Sequence, residues 1–138
     1  MNVEITTPAK LTALLMCSER IGHACASANL DPDVIARARI VLEELFLNTI
    51  RYGYGGECER PVRLAIRRGR GSSLTLVYED EAPPFDPVAW RERPDRRFAA
   101  DVLREGEAGL DLMFGLATSL DYEPTDGGNR VTVSFARR

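Results

Sequence analysis

Glu44 and Asn48 stand four residues apart inside the apolar run Ile40-Val-Leu-Glu-Glu-Leu-Phe-Leu-Asn-Thr-Ile50. On a helix that spacing sets a carboxylate and an amide on one stripe. Ile40, Val41 and Leu47 flank them, so protein or ligand rather than bulk water covers this face. Polar groups held in such a place cost free energy unless something hydrogen-bonds or coordinates them, which points to a bound ion or polar ligand. A second acid faces inward by a different argument. Leu74, Leu76 and Tyr78 alternate along a strand and share their parity with Asp80, so that carboxylate sits on the buried side at the strand end.

Other chemistries find little support. His23 is the single His, and no Gly-x-Ser-x-Gly turn supplies a nucleophile for it. Cys17, Cys25 and Cys58 are an odd, widely spaced set without a Cys-x-x-Cys, so neither a disulfide framework nor a zinc site is expected. A P-loop is excluded, because no Gly-x-x-x-x-Gly-Lys-Ser/Thr occurs and Lys10 is the only Lys. The net charge of −3 argues against a nucleic-acid-binding field. Arg60, Arg63, Arg67, Arg68 and Arg70 cluster, yet Arg63 and Arg67 alternate with Val62, Leu64 and Ile66, as on a solvated sheet face that could also meet an acidic protein.

The elements that must position Glu44, Asn48 and Asp80 follow from periodicity. With 138 residues, 44% hydrophobic and 28% charged, the chain reads as one compact domain over residues 1–138 with room for a core. Charges and turn residues break every apolar run before about 18 residues, so no membrane span is expected. The opening residues read as a strand and a helix start rather than a secretory signal, which makes the cytoplasm the expected location. Val3 to Thr6 suggests an edge strand, and Thr7-Pro8 a helix start. That helix is expected to reach about Asn29 with Leu11, Leu14, Leu15, Ser18, Ile21 and Cys25 inward. Asp31-Pro-Asp opens a second helix, whose broad face holds Ile35, Ala38, Leu42, Leu45, Phe46 and Thr49. Glu44, Asn48 and Arg51 lie nearly opposite, and the helix ends in the Gly-rich Tyr52 to Gly56.

Strands are expected at Val62 to Arg67, Ser73 to Asp80 and Arg130 to Ala136, the first two joined as a hairpin at Gly69-Arg-Gly71. The Pro-rich Glu81 to Pro87 stops the second. From Trp90 to Glu107 an Arg-rich stretch, weakly helical around Phe98 to Leu103, reads as a mobile cover. Gly109 to Ser119 suggests a third helix with Leu112, Met113, Leu116 and Leu120 inward, followed by a short strand at Leu120 to Glu123 and a turn at Thr125 to Asn129. These elements predict an α+β fold, a two-layer α/β sandwich with one sheet covered on one face by three helices.

Singly, a Glu and an Asn at helical spacing can bond backbone, and an Asp at a strand end can cap a turn. Their order along the chain is more specific. Glu44-Leu-Phe-Leu-Asn-Thr-Ile-Arg-Tyr-Gly-Tyr54 resembles the N box of the GHKL (Bergerat-fold) ATPases, particularly the small bacterial anti-sigma-factor serine kinases. Glu79-Asp-Glu-Ala-Pro-Pro-Phe-Asp-Pro87 is similar to their first glycine box. Gly109-Leu-Asp-Leu-Met-Phe falls where their second glycine box opens a helix, and Gly128-Asn-Arg-Val-Thr-Val-Ser-Phe135 matches their last strand.

The resemblance covers almost the whole chain and implies a mixed, mostly antiparallel sheet and a role for each matching residue. Asn48 would ligate Mg²⁺, Glu44 would take the proton of an attacking hydroxyl, and Asp80 would accept from the adenine amino group. Thr132 would support that adenine contact, and Arg51 would face the phosphates or lie on the surface at the helix end. Ala82, Gly109 and Leu110 fall within the two glycine boxes as nucleotide-side positions. The implied protein is an ATP- and Mg²⁺-dependent serine kinase acting as an anti-sigma factor. Its partners would be a STAS-domain anti-anti-sigma protein, a sigma factor or other output protein, and a second copy in a homodimer.

Two boxes depart from the family. Ala82 stands where the first box usually has Gly. In place of Gly-Gly-Leu-Gly-Leu the chain reads Ala108-Gly-Leu-Asp-Leu112, and Asp111 pointing inward would repel phosphates, whereas pointing outward it would favour the helix dipole. A binding module that keeps the fold and partner surface without useful turnover is the reading this departure motivates. A sensor histidine kinase domain fits less well, since no phosphoacceptor-helix motif precedes the boxes.

Overall fold

The structure, a computed structural model, describes residues 1–93 and 107–138. Strand β1, Asn2–Ala9, alternates so that Ile5, Thr7 and Ala9 face inward. It pairs antiparallel with β2, Cys58–Arg68, until Pro8 meets Pro61 across the ladder, and the register shifts immediately after. Prolines donate no backbone hydrogen bond, so a facing pair ends regular pairing, and an edge strand tolerates them. Thr7-Pro8 therefore belongs to the strand and not to the helix start expected there.

Helix α1, Leu11–Ser27, begins after Lys10, whose side chain makes no capping bond. The cap comes from 46 residues away: Glu57 Oε1 accepts the Leu11 N–H at 2.7 Å. A remote carboxylate at a helix N-terminus satisfies an orphan donor and favours the dipole. Glu57→Ala should consequently lower stability by about 1 kcal/mol, read as a shifted urea midpoint at unchanged slope.

Leu14, Cys17, Ser18, Ile21 and Cys25 form the buried stripe of α1, whereas Leu11 and Leu15 are exposed, contrary to expectation. One stripe of a helix cannot hold both sets, and the set that continues to Cys25 meets the sheet. The three thiols are free, and burial raises the pKa of Cys17 and Cys25, as suits inert packing residues.

Helix α2, Pro32–Asn48, starts as the sequence suggests, with Asp31 accepting the Asp33 N–H at 2.8 Å and Pro32 in the first turn. Its buried face keeps Ala38, Leu42, Leu45 and Phe46 of the expected set, with Thr49 just beyond, and widens to Val34, Arg37 and Val41, whereas Ile35 is only half-buried. Glu44 and Asn48 consequently border this face instead of lying opposite it. The cause is helix α4, Glu107–Leu116, which packs on α2 and covers a second side. Arg37, 3% exposed, joins the layers by bonding Asp33, the Leu116 carbonyl at 3.0 Å and the Ala136 carbonyl.

Strand β3, Leu74–Asp80, forms the expected hairpin with β2. After it come a short helix α3, Pro87–Glu92, then α4, β4 at Ser119–Thr125 and β5 at Gly128–Phe135. The sheet order is β1-β2-β3-β5-β4. Every pairing is antiparallel, so the mixed, mostly antiparallel sheet expected from the resemblance is wholly antiparallel among the described residues. Inward residues of β2, β3 and β5 meet α1 and α2 in one core, and α4 contributes Leu110 and Met113. Leu112, expected inward, is exposed, because α4 begins before Gly109 and turns Leu110 and Met113 to the core. The helical pattern expected around residues 98–103 lies outside the described residues. No helix among them is long and apolar enough to cross a membrane.

Candidate functional site

A cavity of about 470 Å³ opens where the end of α2, the end of β3, α3 and α4 meet. Its size suits a small-molecule ligand. Beyond Asn48, α2 does not stop but widens into a π-helical turn, Thr49–Gly53, a feature that recurs at functional sites. Gly53 closes that turn against Ala82, where an added Cβ would lie 2.8 Å from the Ala82 methyl. Such contact admits only a side chain of no size at one of the two positions.

Asp80 accepts three hydrogen bonds at the cavity wall. Its Oδ2 accepts from Thr49 Oγ1 at 2.7 Å, and its Oδ1 accepts from Asn129 Nδ2 at 2.9 Å and the Ala82 N–H at 3.2 Å. Thr49 Oγ1 also stands 2.7 Å from the Tyr78 hydroxyl. Burial pushes the Tyr78 phenol well above its ordinary pKa, so it stays protonated and donates to Thr49, which donates onward. The carboxylate is thereby fixed, with acceptor capacity left for a ligand N–H.

Asn129, 7% exposed, holds the loop after β3 in place. Its Nδ2 donates to Asp80 and to the carbonyls of Ala82 at 3.1 Å and Pro83 at 3.2 Å, and its Oδ1 accepts from the Phe85 N–H at 2.9 Å and Tyr122 Oη at 2.6 Å. On the other side the Tyr54 hydroxyl accepts the Glu81 N–H at 2.8 Å, and Arg60 bonds the Glu81 carbonyl while lying over the Tyr54 ring. The Pro-Pro-Phe loop is thus clamped from both flanks. Asn129→Ala would orphan several buried partners, and a loss of at least about 2 kcal/mol in denaturant unfolding is the expected outcome.

Asn48, Asp80, Ala82 and Leu110 all line this cavity. Glu44 and Gly109 do not line it; the Glu44 carboxylate lies against Gly109, where a Cβ would overlap Glu44 Oε2, and their chain neighbours Leu45 and Leu110 are in the lining. Asn48 and Glu44 are both half-buried, and among the described residues neither side chain has a hydrogen-bond partner. Arg51 is exposed on the π turn and does not line the cavity. Asp111 is half-buried and also outside the lining.

Thr132 requires a correction. It pairs with Val77 and Asp121 on the opposite face of the sheet, and Asn129 and Val131 face the cavity instead. The group supporting Asp80 from β5 is Asn129, with Thr49 from α2. Strand parity carried this signal, since Val131, Val133 and Phe135 are the buried positions of β5 and Asn129 shares their side. Trp90, Arg93 and Glu107, which also line the cavity, had no such signal: only folding brings α3 beside the start of α4.

The residues present can be tested against a magnesium nucleotide. Apolar Leu45, Ala82, Met113 and Val131 and the fixed acceptor Asp80 suit a purine with an exocyclic amino group. The Asn48 amide offers a hard oxygen ligand that nothing described engages. No group of three or more His, Cys, Asp or Glu among the described residues could hold a metal unaided. That donor set suits Mg²⁺, which takes few protein ligands and completes its shell with phosphates and water.

Comparison with known proteins agrees with this architecture. The family model described as the histidine kinase-like ATPase domain matches residues 7–135. The chain belongs to that family, and its fold is the Bergerat-type sandwich of the GHKL ATPases. Among solved structures, the RsbU and RsbW domains of Rv1364c from Mycobacterium tuberculosis match with a TM-score of 0.69 at 15% sequence identity. The match covers 98% of this chain and 32% of that one, so the chain spans about a third of that structure's length. No curated protein sequence matches the chain.

Proposed function

We propose that this ATPase-type domain is an ATP- and Mg²⁺-dependent protein serine kinase that acts as an anti-sigma factor and phosphorylates a STAS-type anti-anti-sigma partner. The observation that carries this reading is the convergence of Asn48 and Asp80, from separate segments, on one cavity, with Glu44 beside the lining residue Leu45 and against Gly109. Family membership supports the nucleotide. The fold shared with a structure containing an RsbW domain is consistent with it.

In this reading Asp80 accepts from the adenine amino group, and its three donors keep it oriented. Asn48 holds the metal through its amide oxygen, and the bound Mg²⁺ supplies neutralisation of phosphate charge. Glu44 takes the proton of the partner's serine hydroxyl as the serine oxygen bonds to the γ-phosphorus and the bond to the departing ADP breaks. About two negative charges then sit at the contact surface of the partner, which ends a competing association with the sigma factor or other output protein. The protein works in the cytoplasm, as a homodimer.

A binding module without useful turnover is the second reading, favoured by an acidic Glu107 in the cavity and by Ala108 and Asp111 at the second box. Titration with ATP and Mg²⁺, followed by transfer of labelled phosphate to a STAS-domain partner, separates them. Transfer to serine supports the kinase, binding alone favours the module, and no binding at all removes the kinase.

A further inference from the structure

The cavity presents two carboxylates, Asp80 and Glu107, and among the described residues Arg93 is the only cationic side chain lining it. A triphosphate entering such a site needs a cation more than it needs a further acid. Arg93 is already engaged. Its Nη2 donates to Glu107 Oε1 at 3.1 Å, and the Trp90 indole N–H points to the same oxygen at 3.4 Å, with the Arg93 guanidinium 5.1 Å from the Trp90 ring centroid. Glu107 is 6% exposed and is the first residue of α4. A buried carboxylate there occupies the kind of position an anionic ligand would want, beside a guanidinium and a helix N-terminus.

Resting on the nucleotide reading above, we propose that Arg93 is a phosphate-binding residue and that Glu107 is a built-in competitor for it, an internal anion that the nucleotide phosphates displace. Arg93 sits one residue beyond α3 and Glu107 opens α4, so the guanidinium and the carboxylate meet where both line the cavity. The forked guanidinium suits either partner, because it can bond a carboxylate or a phosphate. Nucleotide affinity is then set by a difference between two ion pairs, and the ligand's phosphate charge decides the outcome. Adenosine, which has the purine but no phosphate, is indifferent to the exchange.

The test is a calorimetric titration of the whole chain with adenosine and with ATP plus Mg²⁺, in the parent protein, Glu107→Gln, Arg93→Gln and the double variant. Gln at 107 keeps the acceptor for Trp90 and Arg93 while removing the charge. Glu107→Gln should bind ATP about tenfold more tightly and Arg93→Gln about tenfold more weakly, the scale of one charge-assisted hydrogen bond, with adenosine affinity unchanged in both. In the Arg93→Gln background the Glu107→Gln gain should be clearly smaller, because the Arg93–Glu107 ion pair is already gone.

Adenosine binding also reports that each variant is folded. Equal or weaker ATP binding by Glu107→Gln, with adenosine retained, overturns the competitor while leaving the nucleotide reading standing. A gain of the same size without Arg93 overturns the exchange and leaves simple repulsion by Glu107. Binding of neither ligand by any form removes the nucleotide reading and this proposal together.

Discussion

Asn48→Ala is expected to abolish magnesium-dependent nucleotide binding while leaving the fold intact. Asn48 borders the buried face of α2 without belonging to it, and no described residue hydrogen-bonds its amide. Removing the side chain therefore orphans no partner, and stability should move by less than about 1 kcal/mol. The ligand loses much more. If the amide oxygen is the main protein ligand of the ion, its removal should weaken ATP binding in Mg²⁺ by about a hundredfold or more, beyond the usual effect of altering an outer-shell group. In the absence of Mg²⁺ the variant and the parent should bind ATP alike, because only the metal-linked part is removed. Paired titrations with and without Mg²⁺ measure this directly. An unchanged affinity in Mg²⁺ would place the metal elsewhere and break the link between the α2 pair and the nucleotide.

The second large effect concerns Glu44 and its neighbour. Glu44→Gln keeps size and polarity but cannot take a proton, so phosphate transfer should fall by about a hundredfold to ten-thousandfold while ATP binding is retained. Gly109→Ala reaches the same carboxylate by a different route. A methyl at 109 would overlap Glu44 Oε2, the far end of a flexible side chain, so the fold can yield by turning Glu44 aside. Alanine is also the better helix former, by up to about 1 kcal/mol. Thermal unfolding should accordingly show equal or greater stability in Gly109→Ala alongside a sharp loss of transfer. Opposite signs in the two measurements distinguish displacement of a reactive group from general damage. Transfer that survives both substitutions would free Glu44 from the role of base.

Much of this site was legible in one dimension. The helical spacing of Glu44 and Asn48 and the shared parity of Leu76, Tyr78 and Asp80 are local properties of a 3.6- or 2-residue period, and no distant contact alters them. The Asp31-Pro-Asp start and the β2–β3 hairpin are equally local, since cap, turn and ladder involve near neighbours. Where a signal depended on phase against a distant surface, it slipped. Leu11 and Leu15 carry the same hydrophobic character as Leu14, and only contact with the sheet selects which stripe is buried. Thr7-Pro8 has the composition of a helix start but is recruited into an edge ladder by pairing with β2.

What the chain's order of residues dictated is the kind of chemistry available: an acid and an amide one turn apart, and a second acid at a strand end. What folding alone decided is which groups meet around them. Asn129 replaced Thr132 as the support of Asp80 because sheet pairing turns alternate β5 residues to opposite faces. Arg93 and Glu107 became neighbours because α3 and α4 converge on one cavity. Local periods are set by backbone geometry, whereas convergence of side chains far apart in sequence depends on long-range packing that no single segment encodes.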